Sequence, residues 1–281
     1  MGHNTWIGLG LALISAVVTN TAYSWEHDAA AKLPPLSPSR PLRSARILLR
    51  EPRWVAAFAT ESVGWLLYVL ALRLAPLALV QAVAASGLAV LAFWTARGHP
   101  SRLGRREQLA VVLALVGLTL LALSLVGLTP TDERPSAIGA IIWLGACAGA
   151  AVVLIAVPLR FARAAALGLA TGFLFADGDM SAKLIGYGGW WLVALVTLIV
   201  AYGVGTSVLQ SAYQHGDALT AAGTATIVTN VVPIVAAFVL FHETLPHGWH
   251  AVLQFAAFTS LIVSAVALGR QDAPKAVEPA G

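Results

Sequence analysis

The chain has 281 residues, of which 58% are hydrophobic and 11% are charged, and its mean hydropathy is +0.80. Because about a quarter of the residues in a soluble domain are charged, this composition excludes a soluble globular protein and indicates a membrane protein. The single cysteine, Cys147, excludes an intrachain disulfide and a metal site built from several cysteines. The net charge of +4 comes from basic loops, so we do not interpret it as nucleic-acid binding.

Nine apolar segments have close to the ~20 residues that a helix needs to cross a bilayer. They cover residues 6–24, 54–72, 77–96, 108–128, 137–157, 164–183, 190–212, 218–241 and 249–268. The sequence therefore predicts an all-α, polytopic membrane protein with about nine transmembrane helices.

Basic residues are concentrated in every second connection. The Pro-rich connection 25–53 holds Lys32 and five arginines, and further arginines follow the third, fifth and ninth segments. The positive-inside rule then places the N-terminus outside and the C-terminus, with a short tail at 271–281, in the cytoplasm. We expect a multi-pass protein of the plasma (inner) membrane, with connection 25–53 lying on the anionic cytoplasmic surface.

Two passages of the sequence resemble each other. Residues 70–88 and, about 141 positions later, residues 211–228 each join two apolar segments through a tight polar corner followed by a helix of small residues. The two passages are five segments apart, an odd number, so the copies have opposite orientations. This pattern predicts two inverted-topology halves (4+5), at 1–128 and 136–270, which is a recurring architecture of secondary transporters.

Particular motifs resemble a known superfamily. The phrase ALRLAPLALVQ, with the later RLGRREQLAVVLALVGLTLLAL, is similar to the closing helices of a half in the drug/metabolite transporter superfamily. The second half repeats this order in TNVVPIVAAFVLFHETLPHGWHAVLQ, with Pro233 and Glu243 typical of EamA-type domains. The nine-segment count and the start GLGLALISAVVTNTAY, followed by AAAKLP, resemble the NIPA branch, whose best-known members are magnesium transporters.

The chain departs from the superfamily pattern in two respects. The first half has one segment fewer than the usual five, and Arg102 stands where the second half has Glu243. The resemblance therefore implies a transporter fold without identifying the substrate.

Ionisable residues at membrane depth are the first candidates for a binding site, because burying one costs at least ~2.5 kcal/mol. Glu61 lies in the second segment and is interpreted either as a cation or proton site or as a structurally paired carboxylate. Asp177, Asp179 and Lys183 lie in the sixth segment. Asp179 and Lys183 share a helix face, as a substrate site or as an intrahelical ion pair, whereas Asp177 points away from Asp179.

Large neutral polar groups are the second candidates. We expect Asn20, Gln81, Thr226 and Asn230 to face a central cavity, because amides are difficult to satisfy in lipid. Pro233 frees a helical carbonyl and, together with Gly178, is predicted to act as a hinge.

Histidines and acids near two corners have alternative interpretations. His215 and Asp217 form a proton-linked pair, or Asp217 caps the next helix. His242, Glu243, His247 and His250 suggest either a metal cluster or a solvated face, and the metal question stays open.

The sequence contains no nucleophile-and-base set, phosphate-binding loop or HExxH motif, so we predict neither an enzyme nor a cofactor. The leading hypothesis is a secondary transporter that moves a small polar or amphiphilic metabolite or a cation by alternating access. The alternatives are a NIPA-like Mg²⁺ or divalent-cation transporter, a flippase for a lipid or lipid-linked glycan, and a non-transporting scaffold. The partners are then the substrate and membrane lipids, without nucleic acid, and a homodimer is left open.

Overall fold

A computed structural model describes residues 3–37, 40–75, 80, 83–84, 86–96, 104–124, 135–157, 162–240 and 247–269. Its helices are α1 (His3–Ala30), α2 (Pro41–Leu48), α3 (Pro52–Leu74), α4 (Gly87–Thr95), α5 (Arg105–Ser124), α6 (Ala137–Ala156), α7 (Arg163–Gly186), α8 (Ala194–Tyr213), α9 (Ala218–Leu240) and α10 (Trp249–Gly269), with a short 3-10 helix at Gly189–Val193 before α8. No strand occurs in these ranges, which confirms the all-helical class for that part of the chain.

Six helices are long and apolar enough to cross a membrane. They are Thr5–Ala30, Pro52–Ala71, Arg105–Ser124, Ala137–Ala156, Trp191–Tyr213 and Trp249–Leu268. Many of their large apolar side chains are exposed, including Ile138 at 73% and Phe255 at 76%, as expected of surfaces that face lipid. A polytopic membrane protein is thus supported, whereas the predicted count of nine spans is not confirmed: α7, α9 and the predicted segment 77–96, of which only part is described, are not among the six.

Small residues let the helices of the core approach closely. Gly168 and Gly172 on α7 lie directly against α9, where they meet Ala221 and Val228. The most extensive helix contacts are α1 with α3, α5 with α10, and α7 with both α8 and α9. Apolar side chains gain no hydrophobic stabilisation by moving from lipid to a helix interface. Membrane helices therefore associate through close packing, which small residues such as these glycines allow.

The first helix is longer than the sequence predicts. Residues 25–30 were assigned to the connection 25–53, but α1 continues through them to Ala30 and buries Glu26 to 1% exposure. A hydropathy window ends at a charged residue, whereas a helix ends where its hydrogen bonds do, and the first proline after α1 is Pro34. The extension brings an unexpected carboxylate into the protein interior.

One predicted helix start is confirmed. The Asp217 carboxylate accepts hydrogen bonds from the backbone N–H of Thr220 at 2.8 Å and from its hydroxyl at 2.8 Å, directly before α9. Asp217 is therefore an N-cap, as an acidic residue at the positive end of a helix should be. The His215 ring bonds to the Ser211 carbonyl at 2.7 Å and lies at the end of α8.

Candidate functional site

Polar side chains from α1, α3 and α8 converge near one end of these helices. Glu26 and Tyr23 come from α1, Glu61 from α3, and Gln210 and Tyr213 from α8. The Gln210 amide donates to the Glu26 carboxylate at 2.5 Å. The Glu61 carboxyl lies close enough to the Glu26 carboxyl and the Tyr23 hydroxyl to interact with both side chains. We call these five residues the carboxyl site.

The carboxyl site contains oxygens that lack a partner. Glu26, Gln210 and Tyr213 are at most 1% exposed, yet Glu26 Oε1, Gln210 Oε1 and the Tyr213 hydroxyl have no hydrogen-bond partner. A buried polar atom left unpaired costs about 1–3 kcal/mol. Buried unpaired polar atoms are few in native proteins, so three of them at one place call for an explanation such as a bound ion or water.

Two carboxyl groups in contact also need a positive charge between them. Two unit negative charges ~4 Å apart repel by about 4 kcal/mol at an effective dielectric constant of about 20. A shared proton or a bound cation removes that repulsion. The oxygen atoms of two carboxylates and an amide are hard ligands of the kind that Mg²⁺ and Ca²⁺ prefer. The arrangement can therefore hold a cation, or a proton in exchange for one.

A loop closes the site at the end where α1 and α8 stop. The Gln214 side chain donates to the Ala30 carbonyl at 2.8 Å and accepts from the Leu36 backbone N–H at 2.8 Å. The Ser211 hydroxyl donates to the Leu36 carbonyl at 3.4 Å, and Leu36 itself is 5% exposed. Residues 31–37, which we call the cap loop, are therefore attached to α8 directly beside Gln210.

We expect Gln214→Ala to release the cap loop, because the substitution removes the hydrogen bonds made by both the nitrogen and the oxygen of the side-chain amide. Amide hydrogen exchange over residues 31–37 should become at least about tenfold faster, which corresponds to about 1.4 kcal/mol of lost protection. The neighbouring His215→Ala is the control, since its ring bonds back to Ser211 on its own helix. Equal exchange rates in the two variants would contradict the attachment.

The acids of α7 face two different neighbours. Asp177 is 3% exposed and lies beside Cys147 of α6, and its Oδ1 has no hydrogen-bond partner. Asp179 accepts a hydrogen bond from the Tyr202 hydroxyl of α8 at 2.5 Å. Gly178 lies between them under the Tyr202 ring, and Lys183 is exposed. The two aspartates thus belong to separate helix interfaces.

The predicted amide and threonine candidates bond within their own helices. Asn20 donates to the Ala16 carbonyl at 2.9 Å and lies against Gly87 of α4. Asn230 donates to the Thr226 carbonyl at 2.8 Å, and the Thr226 hydroxyl to the Ala222 carbonyl at 2.8 Å. These bonds satisfy one polar group each and leave the amide carbonyls for other partners.

Two further predicted residues have a different status. Pro233 lies inside α9, four residues after Thr229, as the hinge hypothesis requires. Gln81 lies outside the described residues, as do His242 and Glu243 of the suggested histidine cluster. Within the described ranges, no group of three or more His, Cys, Asp or Glu side chains is placed to hold a metal ion.

Glu26 is the functional candidate that sequence reasoning missed. It follows Tyr23 by three residues, so the two side chains share a helix face once α1 is known to continue that far. The Pro-free run up to Pro34 was the available signal. Gln210 lies in the seventh apolar segment, but nothing in the sequence pairs it with Glu26, 184 positions away.

Comparison with known proteins gives one similarity. The chain is 24% identical over 267 residues to a protein of Arabidopsis thaliana described as probable magnesium transporter NIPA9, and the match covers 86% of this chain and 75% of that protein. No protein-family model matches the chain, and no solved structure matches it.

Proposed function

We propose that this chain is a secondary membrane transporter that moves a small cation by alternating access, with the carboxyl site as the place where the cation binds. The similarity to a probable magnesium transporter and the polytopic helical fold support a membrane transporter. That similarity speaks against an enzyme as well. The carboxyl site supplies the chemistry that a cation transporter needs.

The observation that carries the proposal is the contact between Glu26 and Glu61. Two carboxyl groups from different helices meet where α1, α3 and α8 converge, with an unpartnered amide oxygen beside them. Intramembrane ionisable groups are costly, and those that face a protein interior mark ion pathways and proton relays. Charge pairing by a cation offsets both the burial cost and the repulsion.

Magnesium is the first candidate for the cation. Mg²⁺ takes oxygen ligands, is usually bound through one or two carboxylates and keeps several waters. Glu26 and Glu61 would balance its charge, and the relative's description names the same ion. The sequence alone left a metabolite and a cation open; two acids from different helices favour the cation.

Repeated helix contacts support the two predicted halves, 1–128 and 136–270. Three contacts of α1 have counterparts in contacts of α7 with α8 or α9, displaced by 156 positions on the first helix and by 141 on its partner. Ala12 shares an apolar cluster with Val80, as Gly168 meets Ala221; Ala16 meets Gly87, as Gly172 meets Val228; and Thr19 meets Gly64, as Phe175 meets Gly205. The 15-position difference matches the longer connection between α1 and α3.

The packing of α5 against α10 supports opposite orientations for those halves. These helices would be the last of each half, and they run antiparallel. The Ser260 hydroxyl donates to the Leu113 carbonyl at 2.7 Å, and Ser264, further along α10, donates to the earlier Ala110 carbonyl at 2.7 Å. An inverted repeat places equivalent helices antiparallel. In transporters built from such repeats, the two halves rock against each other and open the binding site to one side of the membrane at a time.

The orientation and location remain part of the proposal. With the N-terminus outside and the C-terminus in the cytoplasm, the carboxyl site lies near the cytoplasmic side of a plasma membrane, under the cap loop. The partners are the transported ion and membrane lipids, and the 4+5 arrangement and any homodimer are left to experiment.

Flux into proteoliposomes tests the proposal. The full chain is reconstituted with a Mg²⁺-sensitive dye inside, and external Mg²⁺ is compared with a panel of labelled metabolites and a fluorescent phospholipid. We expect the rate of Mg²⁺ entry to be at least about tenfold higher in vesicles that contain the protein than in protein-free vesicles. A tenfold ratio corresponds to about 1.4 kcal/mol. Movement of a metabolite or the lipid without Mg²⁺ would replace this proposal with the organic-solute or flippase hypothesis.

A further inference from the structure

The repeat relates the carboxyl site to a second acid–tyrosine contact. In the first half, the Tyr23 hydroxyl of α1 lies against the Glu61 carboxyl of α3. Displacing these positions by 156 and 141 gives Asp179 of α7 and Tyr202 of α8, whose side chains are hydrogen-bonded at 2.5 Å. The same contact therefore occurs twice, with the tyrosine and the acid exchanged between the two helices.

The two contacts have the same surroundings in the helix pair. Glu61 lies three residues before Gly64, and Tyr202 lies three residues before Gly205. At each of these glycines the helix packs closely against its partner helix. Tyr23 and Asp179 each lie seven residues before the end of their helix, at Ala30 and Gly186. With inverted halves, equal distances from helix ends mean mirrored depths near opposite membrane faces.

Other positions of the carboxyl site are not repeated. The position equivalent to Glu26 is Ala182, and the position equivalent to Gln210 is Val69. The second contact thus keeps one carboxylate and one phenol, without the additional carboxylate and amide. Asp179 is partly exposed and Tyr202 is 36% exposed, so neither side chain is fully enclosed by the protein.

We propose that Asp179 and Tyr202 form a second, weaker station for the transported cation, the counterpart of the carboxyl site at the opposite membrane face. This inference rests on the proposed function. An ion arriving from that face meets one carboxylate and keeps most of its water, and it gains the second carboxylate only at Glu26 and Glu61. Mg²⁺ suits such a path, because it dehydrates reluctantly.

The alternative is that the bond to Tyr202 only satisfies a partly buried acid. That alternative predicts that removing the carboxylate leaves transport unchanged. It also leaves the exchange of acid and tyrosine between equivalent positions as a coincidence. A measurement of ion binding separates the two, because a satisfied structural acid binds no ion.

The test uses Asp179→Asn and Tyr202→Phe in the reconstituted full chain, with Asp28→Asn as the matched control because that side chain is 71% exposed and lies outside both contacts. Isothermal titration with Mg²⁺ and flux are measured for each. We expect the wild type and Asp28→Asn to bind at two sites that differ in affinity by at least about tenfold.

Asp179→Asn should lose the weaker site and slow Mg²⁺ entry by about tenfold, and Tyr202→Phe, which keeps the carboxylate, by about threefold. Wild-type flux and stoichiometry in both variants would overturn the second station while the proposed function stands. A wild-type chain that neither binds nor moves Mg²⁺ would overturn both. If Asp179→Asn fails to fold, Tyr202→Phe decides the question, since unchanged entry in that variant also contradicts the station.

Discussion

Glu61→Gln should reduce Mg²⁺ flux by at least about 100-fold, and Glu26→Gln should do the same. Either change leaves one carboxylate to balance a divalent ion, and a loss of about 2.7 kcal/mol corresponds to 100-fold. Repulsion between two charges ~4 Å apart is about 4 kcal/mol at an effective dielectric constant of about 20, and attraction to an ion is of the same order. The measurement is initial dye response in proteoliposomes at matched protein content, with Asp28→Asn as the control at the wild-type rate.

The same variants distinguish a binding role from a structural one. If the carboxyl pair serves the ion, Glu61→Gln relieves repulsion in the ion-free protein, and its midpoint of thermal unfolding in a chelator should rise. Added Mg²⁺ should then raise the midpoint of the wild type and not of the variant, since only binding to the folded state stabilises it. A variant that is less stable without Mg²⁺ and still transports would show that the pair supports the fold instead.

Gly168→Ala should destabilise the protein strongly, because its Cβ would meet the Ala221 carbonyl oxygen and the Thr224 hydroxyl on α9. A backbone carbonyl cannot rotate away, so the helices must separate, at a cost of about 1–3 kcal/mol. Gly203→Ala is the matched control, since nothing lies within 4 Å of the position where its Cβ would be. There the loss of a helical glycine should stabilise the protein by up to about 1 kcal/mol.

Thermal unfolding of the two variants in the same detergent measures the contrast. We expect midpoints that move in opposite directions from the wild type, downward for Gly168→Ala and upward for Gly203→Ala. Two equal shifts would mean that α7 and α9 do not approach at Gly168, and the repeat that pairs this contact with Ala12 and Val80 would lose support.

Hydropathy was sufficient to predict the helices but not their ends. Apolar segments predicted every long helix, because a lipid environment requires each to satisfy its backbone internally. The end of α1 was placed before Glu26 because charge interrupts an apolar window, although a helix continues until its hydrogen bonds stop. The N-cap at Asp217 was predictable because capping involves residues three positions apart.

The candidate site was predictable only in part. Glu61 and Asp179 were identified from the cost of burying charge, a property of one residue in its segment. Their neighbours were not, since Glu26 meets Gln210 across 184 positions and Asp179 meets Tyr202 across helices. Gln81, expected to face a central cavity, lies outside the described residues, so that expectation stays a prediction.

By itself, the sequence determined that this is a polytopic helical membrane protein, because hydropathy is a local property of the chain. Only the tertiary structure decided that Glu26 lies beside Glu61 and that Tyr202 bonds to Asp179. Contacts between helices depend on which faces the small residues bring together, and amino-acid order along one helix does not specify its neighbour.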